Sequence, residues 1–246
     1  MQMHGNGLPQ YLQAVTLRIG TSGYSYKEWK GSFYPEDLKA ADMLSFYARH
    51  LGTVEINNTF YRLPTVKLLE GWASQVPDGF RFVLKVSQKI THFKRLKDVN
   101  EEMTYLVENA KTLGPKLGAF LVQIPPNFKR DDERLAAFLG LLPPGMLAAL
   151  EVRNPSWMVP QVYALLEKHG VALVSSQTAE EPEPQLVRTA PWGYLRLRKM
   201  SYHPDELYDW SRRIADMGWE DAFVFFKHEQ IAPDLAEKLT AAARKK

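Results

Sequence analysis

Apolar positions along this chain follow two rhythms that take turns. Short runs in which apolar and polar residues alternate give way to longer stretches whose apolar residues stand three and four apart, the marks of strand and helix respectively. The short runs fall at residues 17–21, 53–57, 80–86, 118–124, 148–153, 171–175, 193–198 and 222–228. The helical stretches fall at 42–51, 66–74, 101–113, 133–142, 159–168, 205–217 and 233–244. Strand and helix therefore alternate, which predicts consecutive βα units and a parallel sheet. Residues 177–191, after the sixth strand, are rich in Glu and Pro without a helical period. The helix there is predicted to be missing or replaced by a loop.

Eight such strands with right-handed crossovers can close into a (β/α)8 TIM-like barrel, leaving no sheet edge, or lie as an open doubly wound sheet. No Gly-rich dinucleotide fingerprint follows any strand, and the run Gly20-Thr21-Ser22-Gly23-Tyr24 is too short for a phosphate loop. This favours the barrel, an α/β fold whose usual size a chain of 246 residues matches. Residues 1–16 carry Gly5, Gly7 and Pro9 without periodicity and read as a loose leader, with 17–246 as a single barrel domain.

Composition narrows the possibilities. A hydrophobic fraction of 45% with 24% charged residues suits a packed globular chain. The formal charge is only +3, from 31 basic and 28 acidic residues, so any preference for anions must come from a local patch. With no cysteine, a disulfide framework, a thiolate zinc site and a cysteine nucleophile are all excluded. The first fifteen residues lack a signal-peptide pattern and no stretch reaches membrane-spanning length, so the expected location is cytoplasmic, with no membrane partner.

Active sites of such barrels lie at the carboxyl ends of the strands. Alternation puts Glu55 with Asn57, Glu151 with Arg153 and Arg196 with Arg198 on common faces, while Val54, Ile56, Leu150, Val152, Leu195 and Leu197 face the helices. Lys85, Gln123 and Lys227 follow the same inward pattern. Charge inside a barrel is costly unless paired, so these residues either form salt bridges that fill the bowl or recognise a ligand. Cations outnumber carboxylates, which points to an anionic partner such as a phosphate ester, a carboxylate or a nucleic-acid backbone. Glu55 and Glu151 are the acid/base candidates, and Asn57, Lys85, Gln123, Arg153, Arg196, Arg198 and Lys227 the binding candidates.

Among the histidines, His92 and His228 follow the third and eighth strands and join the catalytic candidates, with His203 behind them. His50 and His169 stand near helix C-termini, where their charge suits the helix dipole. No His-x-His or His-Glu-x-x-His spacing occurs, so no metal ligand is assigned, and nothing designates a cofactor. Tyr24, Tyr26, Trp29, Phe33 and Tyr34 crowd the first loop, and Phe60 and Tyr61 follow the second strand. Tyr24, Trp29 and Tyr61 are candidates to stack on a base or sugar, against the alternative of a satellite core over the mouth. Asn154 with Pro155 is expected to cap a helix after the fifth strand, leaving Trp157 to overhang the bowl.

Several runs together resemble one family. Gly20-Thr21-Ser22-Gly23-Tyr24 with Trp29, Gly31 and Phe33-Tyr34-Pro35 is the first, followed by Val54-Glu55-Ile56-Asn57-Asn58-Thr59-Phe60-Tyr61 and Ile90-Thr91-His92. Leu121-Val122-Gln123-Ile124-Pro125-Pro126-Asn127-Phe128, Glu151-Val152-Arg153-Asn154-Pro155-Ser156-Trp157 and Phe225-Phe226-Lys227-His228-Glu229 complete the set. The pattern is similar to that of the domain of unknown function 72, or YecE-like, family across nearly the whole chain after the leader. That resemblance implies a TIM-barrel-like fold in a bacterial or archaeal cytoplasmic protein and supplies no reaction or catalytic residue. The chain departs from it where the family reads Glu-Phe-Arg-His, having Asn154 in place of the histidine. The functional expectation is an enzyme, a hydrolase or lyase acting on a phosphorylated or other anionic substrate. The alternative is a non-catalytic binder of nucleic acid or nucleotide.

Overall fold

The computed structural model describes residues 15–178 and 183–244. Its eight parallel strands run in sequence order around a closed barrel: β1 (Thr16–Ser22), β2 (Thr53–Ile56), β3 (Arg81–Lys85), β4 (Leu117–Gln123), β5 (Ala148–Glu151), β6 (Ala172–Gln177), β7 (Trp192–Leu197) and β8 (Asp221–Phe226). Closure is made by β1 against β8, paired from Thr16 with Asp221 to Thr21 with Phe226, which rules out the open sheet. The helices are α1 (Met43–His50), a short α2 (Asn58–Tyr61), α3 (Val66–Ala73), α4 (Asn100–Ala110), α5 (Asp132–Leu139), α6 (Pro160–Lys168), α7 (Pro204–Asp216) and α8 (Ala232–Arg244). As expected, no helix joins β6 to β7 among the described residues; residues 179–182 lie outside them. The expected leader also lies outside them except for its end, where Thr16 already belongs to β1. No helix among the described residues is long and apolar enough to cross a membrane.

The two faces of each strand bury different things. Val54, Ile56, Leu150, Leu195 and Leu197 join the core between sheet and helices, as their alternation requires. The barrel interior is a separate cluster in which Trp192, Tyr194, Phe223 and Phe225 on β7 and β8 fill the space left by Ala119, Ala149 and Ala172 on the opposite wall. Large and small side chains thus complement each other across the axis. Gly20 lies where a Cβ would stand 2.1 Å from the Thr53 carbonyl oxygen, so β1 can approach β2 only without a side chain there.

Local signals start the helices. Pro160 and Pro204 occupy first-turn positions, where the missing N–H costs nothing. Asp131 accepts from the Arg134 N–H at 3.0 Å to open α5. His203, third among the histidine candidates, caps α7 in a reciprocal box with Glu206.

Candidate functional site

The period-two pattern brings Ser22, Glu55, Gln123, Glu151 and Arg196 into contact near the carboxyl end of the barrel axis. The Arg196 guanidinium bridges the two carboxylates, with Nη2 donating to Glu55 Oε1 at 2.8 Å and Nη1 to Glu151 Oε2 at 2.7 Å. All three side chains are buried, with Arg196 3%, Glu55 0% and Glu151 1% exposed. Glu55 also accepts from Ser22 Oγ at 2.5 Å and the Tyr194 hydroxyl at 2.7 Å. Gln123 donates to Glu151 Oε2 at 2.7 Å, and Asn57 reaches the network through Ser22 Oγ at 2.9 Å. Arg153 and Arg198 approach the remaining Glu151 oxygen at 3.4 and 3.6 Å.

This geometry changes the roles expected of the carboxylates. Burial pushes the Glu151 carboxyl upward in pKa, but the charges of Arg196, Arg153 and Arg198 and the Gln123 amide outweigh it and hold the group at about 2. It is therefore a permanent anion at neutral pH, unsuited to donate a proton and too weak a base to take one. Glu55 has both oxygens engaged by three donors. Both expected acid/base residues are thus engaged by Arg196. The same contacts answer the burial cost of its charge, and its guanidinium pKa is raised because Glu55 and Glu151 outweigh desolvation.

Lys85 is placed differently. It ends β3, is only 9% exposed, and forms no ion pair or hydrogen bond through Nζ among the described residues. Its ammonium lies 4.2 Å above the Phe60 ring. Burial first, then the neighbouring Arg196, lowers its pKa to about 8 in spite of Glu55 and Glu151. Lys227, exposed just beyond β8, likewise makes no ion pair among the described residues, and desolvation with Arg196 and Arg198 lowers its pKa. The Nε atoms of Arg196 and Arg198 are buried donors without an acceptor.

His92 meets Lys85 around Phe60, its ring 5.0 Å from the Phe60 ring. Burial, Lys85 and Arg153 all lower its pKa, so the imidazole is neutral near pH 7. Thr91 Oγ1 donates to Ser87 O and lies 2.8 Å from His92 Nδ1. The Thr91 hydroxyl thereby ties the Nδ1 edge of the imidazole to the turn. The segment is held by unusual backbone: a π-helical turn at Lys89–Phe93, then Arg95, Leu96 and Asp98 at φ of 48, 66 and 51°. Lys89 and Lys94 both clamp Glu102 Oε1 at 2.8 Å, tying this turn to α4.

Two other expectations are corrected, those for Trp29 and Trp157. Trp29 is fully buried among Tyr26, Phe33 and Tyr34, with ring centroids 4.7 to 6.0 Å apart, so it is core and offers no face to a ligand. His228 Nδ1 accepts from the backbone N–H groups of Gln230 and Ile231 at 3.1 and 3.2 Å, a capping contact just before α8 that engages one ring nitrogen of this candidate. Trp157 does not overhang the bowl: it is buried with its indole N–H on Phe128 O at 2.7 Å, although Asn154 caps its turn as expected. Tyr24 is half-buried beside Tyr47, lining a hollow of about 260 Å³ with Asn57 and Trp72. Tyr61 is 71% exposed on the rim, its ring against Phe60 and outside the charged network.

Ser22, Tyr194 and Tyr26 were not among the expected site residues. Ser22 lies two positions beyond Gly20, and Tyr194 two before Arg196, so extending the alternation by one step identifies both. Tyr26 donates to Ser22 O at 2.8 Å, a contact made by the left-handed turn at Gly23 (φ 92°) that a linear pattern does not reveal. Between β5 and β7, Glu151, Arg153, Ser176, Gln185 and Arg198 help line a cavity of about 570 Å³. No group of three or more His, Asp or Glu side chains among the described residues has the geometry of a metal site.

Comparison with known proteins places this geometry in context. Residues 18–246 match the family model described as "Protein of unknown function DUF72". UPF0759 protein YecE of Escherichia coli (strain K12) is 34% identical over 152 residues, which are 61% of this chain and 48% of YecE, so the chain spans about half the length of that relative. UPF0759 protein YunF of Bacillus subtilis (strain 168) is 25% identical over 239 residues, covering 87% of this chain and 79% of YunF. A crystal structure of a DUF72 family protein from Thermotoga maritima MSB8 superposes with a TM-score of 0.81 at 24% identity, covering 92% of this chain and 98% of the other, a likeness of fold.

Proposed function

Because this chain belongs to the DUF72 family, whose relatives above bear names without a reaction, we propose a function from the site itself: the barrel mouth binds a phosphorylated or other anionic small molecule and acts on it as a hydrolase or lyase. One observation carries this reading. Lys85 is a buried cation without an acidic partner among the described residues, in a site whose other buried charges are paired with care. Holding such a charge out of water costs free energy that a bound anion returns. Lys227, Arg153 and Arg198 supply further donors around the mouth, and the buried Nε of Arg198 lacks an acceptor. Proton transfer falls to Lys85 and His92, since Glu55 and Glu151 are occupied by Arg196.

The test is calorimetric titration with pyrophosphate and with phosphorylated sugars. Wild type is expected to bind, and K85M to lose roughly tenfold or more in affinity, as befits a desolvated charge-assisted contact. Equal affinity of the two proteins removes Lys85 from the site.

A nucleic-acid partner is the second reading. Phe93 and Tyr61 are 72% and 71% exposed on the same rim, in segments that also carry Lys97 and Arg62. Oligonucleotide binding that weakens steeply with salt and is lost in the Y61A/F93A double variant would support it. Retained small-anion affinity in that variant separates the two readings.

A further inference from the structure

Lys85 has surroundings that the binding of an anion alone does not require. Its amine stands at a strand end with no carboxylate in ion-pair contact among the described residues, packed over the Phe60 ring, which the His92 imidazole also meets edge to face. An anion-binding lysine needs only its full charge. A nucleophilic one is served by burial next to other cations, because only the uncharged amine has a lone pair to give.

Resting on the anionic-substrate reading above, we propose that Lys85 captures the carbonyl carbon of an anionic oxo compound, an oxo acid or a phosphorylated aldose or ketose, as an imine. The groups that bear on Lys85 are Glu55 and Glu151, which favour its charge, and Arg196 and Arg153, which oppose it; His92 is its titratable neighbour. Burial and Arg196 leave the amine with a pKa of about 8, so an appreciable fraction is uncharged at neutral pH. In the first step the Nζ lone pair forms the C–N bond and the carbonyl π pair moves to oxygen, which takes a proton. The resulting carbinolamine then loses that oxygen as water, forming C=N. Oxygen takes up two protons in all before it leaves as water: nitrogen gives up one, which we assign to His92 to carry, and solvent supplies the other, so the imine is left protonated. No oxidant or reductant is involved, and the protonated imine withdraws electrons from the adjacent carbon, the chemistry a carbon–carbon or carbon–oxygen lyase needs.

The experiment is reductive trapping. The full chain is incubated at pH 7 with glyoxylate, or with dihydroxyacetone phosphate, in the presence of cyanoborohydride, and the adducts are located by peptide mass mapping. Lys85 is expected to be reduced onto the probe at least roughly tenfold faster than exposed lysines such as Lys97, as a desolvated amine should be. K85R is expected to lose that adduct while keeping the others, and H92Q to form it more slowly at pH 7. Labelling that follows exposure alone, with Lys85 no faster than Lys97, overturns the proposal. Wild-type mapping decides the matter even if K85R does not fold. Calorimetry with pyrophosphate separates the two claims: anion binding without a Lys85 adduct sinks the imine and leaves the anion site, whereas loss of both sinks the reading beneath it.

Discussion

Two sets of cations share the mouth of this barrel, and their surroundings treat them oppositely. Arg196 is enclosed by two carboxylates at 2.7 and 2.8 Å, so its charge is cancelled where it lies. Lys85, at the end of another strand of the same mouth, is also buried yet has an aromatic ring where a carboxylate would be expected. The first arrangement is what a fold needs to tolerate internal charge. The second lowers stability in the empty protein and is retained at a place where a ligand can repay it. The contrast separates the architectural polar residues of the mouth from those available for chemistry.

The comparison is broken most severely at Arg196. R196M leaves Glu55 and Glu151 buried without their counter-ion, and a loss of about 3–5 kcal/mol in denaturant unfolding is expected. The triple variant E55L/E151L/R196M should recover most of that loss, because the triad balances itself; failure to recover would show that its members do more than cancel one another. A smaller effect belongs to Glu151 and pH. Its folded pKa of about 2 lies below the ordinary value of 4.5. The group therefore contributes stability fully above 4.5 and loses it as pH falls toward 2, roughly 2–3 kcal/mol at most. Acid unfolding of E151Q should show a correspondingly shallower limb.

Lys85 shares that direction with pH but at neutral pH contributes with the opposite sign, as a cost. Its pKa is lowered from 10.5 to about 8, so the unfolded chain binds that proton more tightly and wild-type stability gains from this group as pH rises between those values. At neutral pH K85M is expected to stabilise the fold by roughly 1–3 kcal/mol, raising Tm by several degrees while binding is lost. A lower Tm would place Lys85 with the architectural set. The smallest effect is at Lys227, which is exposed: K227M should leave stability within about 0.5 kcal/mol and weaken anion affinity by roughly 0.5–1 kcal/mol, both measurable by titration and thermal melts.

Much of this was legible in the sequence, for a specific reason. In a closed parallel barrel the outward face is uniformly apolar, so a polar residue that alternates with Val54, Leu150 or Leu195 must face the axis. That logic located Glu55, Lys85, Gln123, Glu151 and Arg196 without coordinates. It did not say which charge would pair with which, because pairing depends on the three-dimensional height of each residue in the barrel. Of the salt bridges weighed for the bowl, Glu55 and Glu151 form theirs with Arg196 and Arg153, whereas Lys85 forms none among the described residues. The capping contacts of His203 and His228 were not legible, because helix capping depends on loop backbone direction, which periodicity does not encode. Trp29 was misplaced for a related reason, since the turn at Gly31 (φ 78°) helps fold the first loop back onto itself and buries the ring.

The central claim is that Lys85, buried at the mouth and without an ion pair among the described residues, binds an anion. Nitrogen-detected NMR titration of lysine-labelled protein, with K85R to assign the resonance, measures it directly. The expected result is a midpoint near the value of about 8 given by burial and Arg196, shifting upward when pyrophosphate is added. A midpoint close to the ordinary lysine value of 10.5, unmoved by the anion, would contradict the account.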